Sequence, residues 1–168
     1  MIPIRNKKKS LQVTVEEMRN FAFAYVEKYA PSKQQLKTYL LKKYLKTSVP
    51  NVKKQDVTNL IDVVLSDLEK SKFINDRFYS ESKAKSMIQR GSSINKIRSY
   101  LFGKGINNEF IKETVEKIYD KNSDQDFFSA IKLCKKKKIG PARTEDNRPL
   151  FYKKDMSLLA RNGFVFET

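Results

Sequence analysis

The sequence predicts an all-α protein of tandem three-helix repeats, about three units with the last truncated, forming an elongated curved rod. Three observations carry that prediction. No stretch alternates apolar and polar residues with period two, whereas apolar residues recur at three- and four-residue steps in eight segments. Most of these segments begin behind a residue suited to cap a helix. Positions of the same character also return at offsets near 60 residues.

Taken in order, Thr14 and Glu17 form a capping box ahead of a first helix carrying Met18, Phe21, Ala22, Tyr25, Val26 and Tyr29. Pro31-Ser32 restarts the chain with Gln35 at the reciprocal position, and Leu36, Tyr39 and Leu40 define the second stripe. A third helix behind the cap Asp56 holds Leu60, Ile61, Val64, Leu65 and Leu68. Asn75 and Asp76 are the expected caps of a fourth, with Phe78, Ala84, Met87 and Ile88, ending at Arg90-Gly91.

Ser92-Ser93 opens a fifth helix with Ile94, Ile97 and Leu101, stopped by Gly103-Lys104-Gly105. Asn107-Asn108 opens the sixth, with Phe110, Ile111, Val115 and Ile118. Phe127, Phe128, Ile131 and Cys134 mark a seventh, in which Cys134 reads as a small buried residue. A basic loop over residues 135–148 then leads to an eighth, with Tyr152, Met156 and Leu159, stopped near Gly163.

The repeat emerges on alignment of these helices. Ser32, Leu36, Tyr39 and Leu40 match Ser93, Ile97, Tyr100 and Leu101 at an offset of 61, and Leu60, Ile61, Leu65 and Leu68 match Phe110, Ile111, Val115 and Ile118 at 50. The linker 47–57 absorbs the difference. Leu101, Gly105 and Ile106 match Leu159, Gly163 and Phe164 at 58. The expected organisation is a basic flexible arm over 1–13, repeat one over 14–73, repeat two over 74–121, and a truncated repeat three with its basic loop over 122–168. Such units bury their apolar faces on one another and present a long surface.

Composition restricts the chemistry. Among 168 residues there are 35 lysines and arginines against 19 acids, no histidine and one cysteine, for a net charge of +16. Imidazole catalysis, His-activated nucleophiles, Cys/His zinc sites and internal disulfides are excluded. No Walker loop is present, and the six-residue apolar run 21–26 is far short of the roughly 20 residues of a membrane span. Asp120, Asn122 and Asp124 imitate a calcium loop, but Gln125 stands where glycine is required and Ile131 where the bidentate acid belongs. A cytoplasmic, monomeric, non-enzymatic protein with no cofactor, no metal and no membrane contact is expected, binding an anionic partner.

Charge follows the repeat. The three second helices sum to +5 over 32–46, +3 over 92–104 and +3 over 148–162, whereas the third helices sum to −3 over 56–70 and −2 over 107–120. One such lysine-rich helix is ordinarily just a solvated face; three equivalent ones flanked by acidic neighbours favour a binding stripe. The contact candidates are Lys33, Lys37, Lys42, Lys43, Lys96, Arg98, Lys104, Lys153, Lys154 and Arg161 on these helices, with Arg77 and Arg90 between them. Lys135, Lys136, Lys137, Lys138 and Arg143 of the basic segment complete the set. Lys104 has the plain alternative of lying in a helix stop. The 19 tyrosines and phenylalanines fall mostly on the apolar stripes and are expected in the core, with Tyr39 and Tyr100 bridging core and basic face.

Several segments resemble a known family. Glu69-Lys70-Ser71-Lys72-Phe73-Ile74-Asn75-Asp76-Arg77-Phe78-Tyr79 is similar to the junction of the first two repeats of RecX, the regulator of the RecA recombinase. Arg90-Gly91, Ile97, Leu101 and Lys104-Gly105-Ile106 follow in the order of its second repeat, and Leu158-Leu159-Ala160-Arg161-Asn162-Gly163-Phe164 looks like its ending. Asn75 stands where the family usually has Asp, Asn162 where it has Arg, and the linker 47–57 replaces a tight Lys-Gly turn. The resemblance spans about residues 15–168. It implies a modulator, chiefly an inhibitor, that lies in the groove of the RecA filament on DNA and limits its growth or activity in recombination and repair, with single- or double-stranded DNA bound without strong sequence preference.

Two other readings compete. A helical DNA-binding protein with no RecA role is one, in its sharpest form a helix-turn-helix across Gly103–Gly105; its reading helix would carry Glu109, Glu113 and Glu116 against only Lys112 and Lys117 into the major groove. A carboxylate-metal nuclease is the other, and the acids form no ligand pattern.

Overall fold

A computed structural model of the chain describes residues 11–46 and 53–168, and the described residues are all-helical, without a strand. The helices are α1 (Val15–Tyr29), α2 (Lys33–Lys46), α3 (Lys54–Lys70), α4 (Asp76–Gln89), α5 (Ile94–Gly103), α6 (Asn108–Lys121), α7 (Gln125–Lys137) and α8 (Asn147–Arg161), with a 3-10 turn at Gly140–Ala142. Residues 1–10 of the expected arm (1–13) and residues 47–52 of the expected linker (47–57) lie outside the described residues. The chain divides into two compact units between Asn75 and Asp76.

In the first unit α1, α2 and α3 pack mutually around Met18, Ala22, Leu36, Leu40, Ile61, Val64, Leu65 and Leu68. The caps that position them are partly those expected. Ser32 and Gln35 satisfy one another: the Ser32 N–H donates to Gln35 Oε1 at 3.1 Å and the Gln35 N–H to Ser32 Oγ at 3.2 Å. Thr14 Oγ1 accepts from Glu17 N–H at 3.3 Å, but the return bond goes elsewhere, because Glu17 accepts from Gln12 N–H instead. Asp56 is not the cap of α3. The helix starts two residues earlier behind an extended Lys53, and Asp56 lies in its first turn, where a carboxylate still suits the dipole.

The second unit holds α4 to α8. Ala84, Ile97, Leu101, Ile106 and Ile111 form the centre of an α4–α5–α6 cluster, while α7 and α8 both pack on the 3-10 turn. Gly103 is helical and takes no part in the stop of α5; only Gly105 has the left-handed backbone, at φ 72°. The expected basic loop is also shorter than 135–148. Lys135, Lys136 and Lys137 continue α7, since lysine is a good helix former and cations suit a helix C-terminus; Lys138, at φ 53°, caps it, with Ile139 N–H bonded to Cys134 O.

Not every aromatic joins the core. Phe78 is 70% exposed, and Phe102, Phe127, Phe128 and Tyr152 are also exposed. Tyr44 is the opposite case: its side chain is buried and its hydroxyl has no hydrogen-bond partner among the described residues. Burial pushes its phenol well above the ordinary range. Tyr44→Phe is therefore expected to stabilise the protein by about 1 kcal/mol, seen as a higher urea midpoint, because an unsatisfied buried hydroxyl is removed without opening a cavity.

Candidate functional site

The ends of four helices of the second unit converge. Gly91, at φ 79°, closes α4 in a Schellman turn in which Ser92 N–H bonds to Met87 O at 3.0 Å. An added Cβ at this glycine would stand 3.0 Å from Ser129 O and 3.1 Å from Leu133 N, so the turn rests directly on the backbone of α7. Asp126 at the start of α7 accepts the Ile94 N–H of α5 at 2.7 Å. Gly163, at φ 85°, closes α8 in the same way, with Phe164 N–H bonded to Leu159 O at 3.2 Å.

The α8 ending is fastened to the start of α5. Ser93 Oγ donates to Asn162 O at 2.6 Å and accepts from Lys96 N–H at 3.1 Å, while Asn95 Nδ2 donates to Gly163 O at 3.1 Å. The Lys96 ammonium donates to Asn162 Oδ1 at 2.5 Å. Three of these four bonds join residues nearly 70 positions apart, and together they hold a cleft of about 480 Å³ lined by Arg90, Gly91, Ser92, Lys96, Leu133, Lys136, Lys137, Leu158, Arg161 and Asn162.

Five of these ten residues are cations and none is an acid. Part of that charge answers the helix dipoles: α4, α7 and α8 end here, each presenting about −0.5 charge, and α5 begins here with about +0.5. Three C-termini and one N-terminus leave about −1 against +5. Dipole compensation thus accounts for a minor part of the charge, and the rest is positive charge that no acid in the lining offsets. Arg90 and Arg161 bring forked guanidiniums, and the lysines bring point charges.

The structure brings together Arg90, Lys96, Lys136, Lys137 and Arg161 from the sequence candidates. The others lie elsewhere. Lys33 pairs with Glu69 and Lys37 with Asp62, both at 2.6 Å, so the acidic α3 occupies part of the positive α2. Lys42 is exposed on α2, and the Lys43 ammonium lies 3.6 Å from the Phe21 ring centre. Arg77 pairs with Glu113 at 2.9 Å. Arg98 is exposed on α5, Lys104 lies over the Tyr100 ring and Lys154 over Phe151. Lys135 and Lys138 are exposed at the end of α7.

Arg143 is held by structure. Its Nε and Nη2 donate to the Asp155 carboxylate at 2.6 and 2.8 Å, and Gly140 N–H adds a third bond at 2.8 Å. Asp155 is 4% exposed, and these donors, the Arg143 guanidinium foremost, pull its carboxyl down to about 2. Burial pushes the Cys134 thiol up.

Sequence reasoning missed the structural partners of the cleft, Gly91 and Asn162, and a second feature, a mostly apolar groove of about 660 Å³ between α7, α8 and the chain end. Met156, Leu159, Phe164 and Phe166 line it beside Lys153. Tyr152, read as core, is on this groove and 56% exposed. Among the described residues no cluster of three or more potential metal ligands occurs, and no helix is long and apolar enough to cross a membrane.

No family model matches the chain. Among curated proteins it is 29% identical to the regulatory protein RecX of Myxococcus xanthus (strain DK1622) over 168 residues, covering 96% of this chain and 87% of that protein. It is 38% identical over 80 residues to the regulatory protein RecX of Lactococcus lactis subsp. cremoris (strain MG1363), covering 47% of this chain and 29% of that one. A crystal structure of a regulatory protein RecX superimposes with a TM-score of 0.58 at 18% identity, over 90% of this chain and 69% of the other, so the fold is shared. With the junction, second-repeat and C-terminal segments in the order that the resemblance implies, the chain is similar to RecX regulatory proteins over nearly its whole length and shares their fold.

Proposed function

We propose that this protein regulates the RecA recombinase as a non-enzymatic inhibitor. In this reading it binds as a monomer along the groove of the cytoplasmic RecA–DNA filament and limits filament growth or activity in recombination and repair. The observation that carries the reading, beyond the family, is the cleft of five cations without an acid. A filament repeats its charges at fixed intervals, so many weak ionic contacts add along it and fall together as salt rises. Tandem three-helix repeats bounded near residues 73 and 121, in a curved rod, would place basic second helices along such a partner. DNA contact in this scheme is with phosphates and carries little sequence preference.

The helix-turn-helix alternative loses ground on α6. Glu113 and Lys117 of that helix are engaged with Arg77 and Glu81 of α4, so they are turned to a neighbouring helix and away from a groove. Light scattering of RecA growing on single-stranded DNA tests the inhibitory role. Substoichiometric protein should lower the extension rate at least severalfold at about 100 mM salt; an unchanged rate at equimolar protein contradicts it.

A further inference from the structure

We propose that the cleft formed by Arg90, Lys96, Lys136, Lys137 and Arg161 is a phosphate-binding site that seats the backbone of a nucleic-acid strand directly, without RecA. The inference deepens the reading above and rests on it only for the identity of the anion. It divides the basic residues into those that meet nucleic acid and those that do not.

The division follows from what each cation already has. Lys33, Lys37, Arg77 and Arg143 are each within 3 Å of a carboxylate oxygen, and a phosphate must displace that partner to reach them. None of the five cleft cations is ion-paired with a carboxylate among the described residues; Lys96 meets the neutral Asn162 amide, and Arg161 Nε donates to Ser157 O at 3.2 Å. They surround a recess whose walls are fixed by the Gly91 and Gly163 turns, so ligand binding requires little ordering of backbone.

The volume of about 480 Å³ exceeds what one ion fills, since a water takes about 30 Å³. A run of consecutive phosphates uses both the space and the surplus charge. Two arginine forks can each engage the paired oxygens of a phosphodiester, and three lysines neutralise its neighbours. The absence of aromatic side chains from the lining indicates that the bases stay outside and that the site reads the backbone alone.

The test uses the full chain, no RecA, and a fluorescein-labelled oligothymidylate of about 20 nucleotides (dT20) or a duplex of about 20 base pairs, in anisotropy titrations from about 50 to about 300 mM NaCl, where screening grows with salt. The triple variant Arg90→Gln/Lys136→Gln/Arg161→Gln is compared with Lys54→Gln/Lys85→Gln/Lys121→Gln, which removes the same net charge at exposed lysines outside the candidate set. The expected result is an affinity loss of at least about tenfold for the cleft variant on one or both oligonucleotides, and a single-strand salt slope shallower by about 2, since each lost phosphate contact removes about 0.7.

The control triple should lose less than about threefold. Loss confined to dT20 identifies a single strand as the source of the phosphates, and loss on both identifies any phosphodiester backbone. Equal losses in the two triples, or no loss in the cleft variant, would overturn the site and show that net charge alone binds. All three substituted cleft side chains are exposed, and unchanged far-UV circular dichroism with graded losses in the three single variants separates contact from misfolding. RecA is absent throughout, so this outcome and that of the filament assay are independent.

Discussion

Gly163→Ala is expected to destabilise the protein by about 3 kcal/mol and to abolish with it the anion affinity proposed for the cleft. The new methyl carbon would stand 2.6 Å from Ser93 Oγ, 3.1 Å from Lys96 N and 3.3 Å from Asn95 Cβ. At φ 85° a non-glycine residue already costs about 1 kcal/mol or more. The Ser93 hydroxyl is fully buried, and moving it breaks both its bond to Asn162 O and the one it accepts from Lys96 N–H; each is worth about 1 kcal/mol. Because these bonds fasten α8 to α5, Arg161 and Lys96 lose their relative position. Gly103→Ala provides the control: nothing lies within 4 Å of its added carbon and its φ is not positive, so helix propensity alone should stabilise the protein by about 0.5–1 kcal/mol. Urea midpoints of the two variants should therefore move in opposite directions.

Asp155→Ala is expected to cost about 3 kcal/mol, the range seen when one partner of a buried ion pair is removed. The carboxylate accepts three bonds from the segment that follows α7, and its loss leaves Gly140 N–H and the Arg143 guanidinium without their acceptor. The same pair sets an acid limit. The folded Asp155 carboxyl titrates at about 2, below its ordinary 3.8, so its contribution is fully present above about pH 4. It is lost progressively as the pH falls from 3.8 through 2. Wild-type stability should decline across that window, and the Asp155→Ala protein should show a shallower decline; parallel curves would show that other carboxylates govern it.

Local chemistry made the helices legible. Cap, stripe and stop reside within a few residues of each other, so α1, α2, α5 and α6 are written in Thr14, Ser32-Gln35, Ser93 and Asn107. The errors came where a different local choice was equally cheap: α3 starts at Lys54 without a side-chain cap, and α7 runs on through Lys137 because nothing in a lysine run breaks a helix. The α4 stripe was overread, since Phe78 fits the period yet faces solvent. Charge on the second helices was readable as a sum, but not its fate. Only tertiary packing brings Asp62 and Glu69 against Lys37 and Lys33, or sets Arg90, Lys96, Lys136 and Arg161 around one recess across some 70 residues of chain. The sequence signals that could have marked the recess are its two helix-ending glycines, Gly91 and Gly163, each beside an arginine or an asparagine that turns toward it.

Co-sedimentation with RecA filaments assembled on single-stranded DNA decides whether the protein binds the filament. Wild-type protein is expected to pellet with the filament at about 100 mM salt and to be released as salt rises. The Arg90→Gln/Lys136→Gln/Arg161→Gln variant should pellet at least about tenfold more weakly, while the Lys54→Gln/Lys85→Gln/Lys121→Gln variant stays close to wild type. Wild-type protein that remains in the supernatant with filaments present, at a salt concentration where it still binds naked single-stranded DNA, would contradict filament binding.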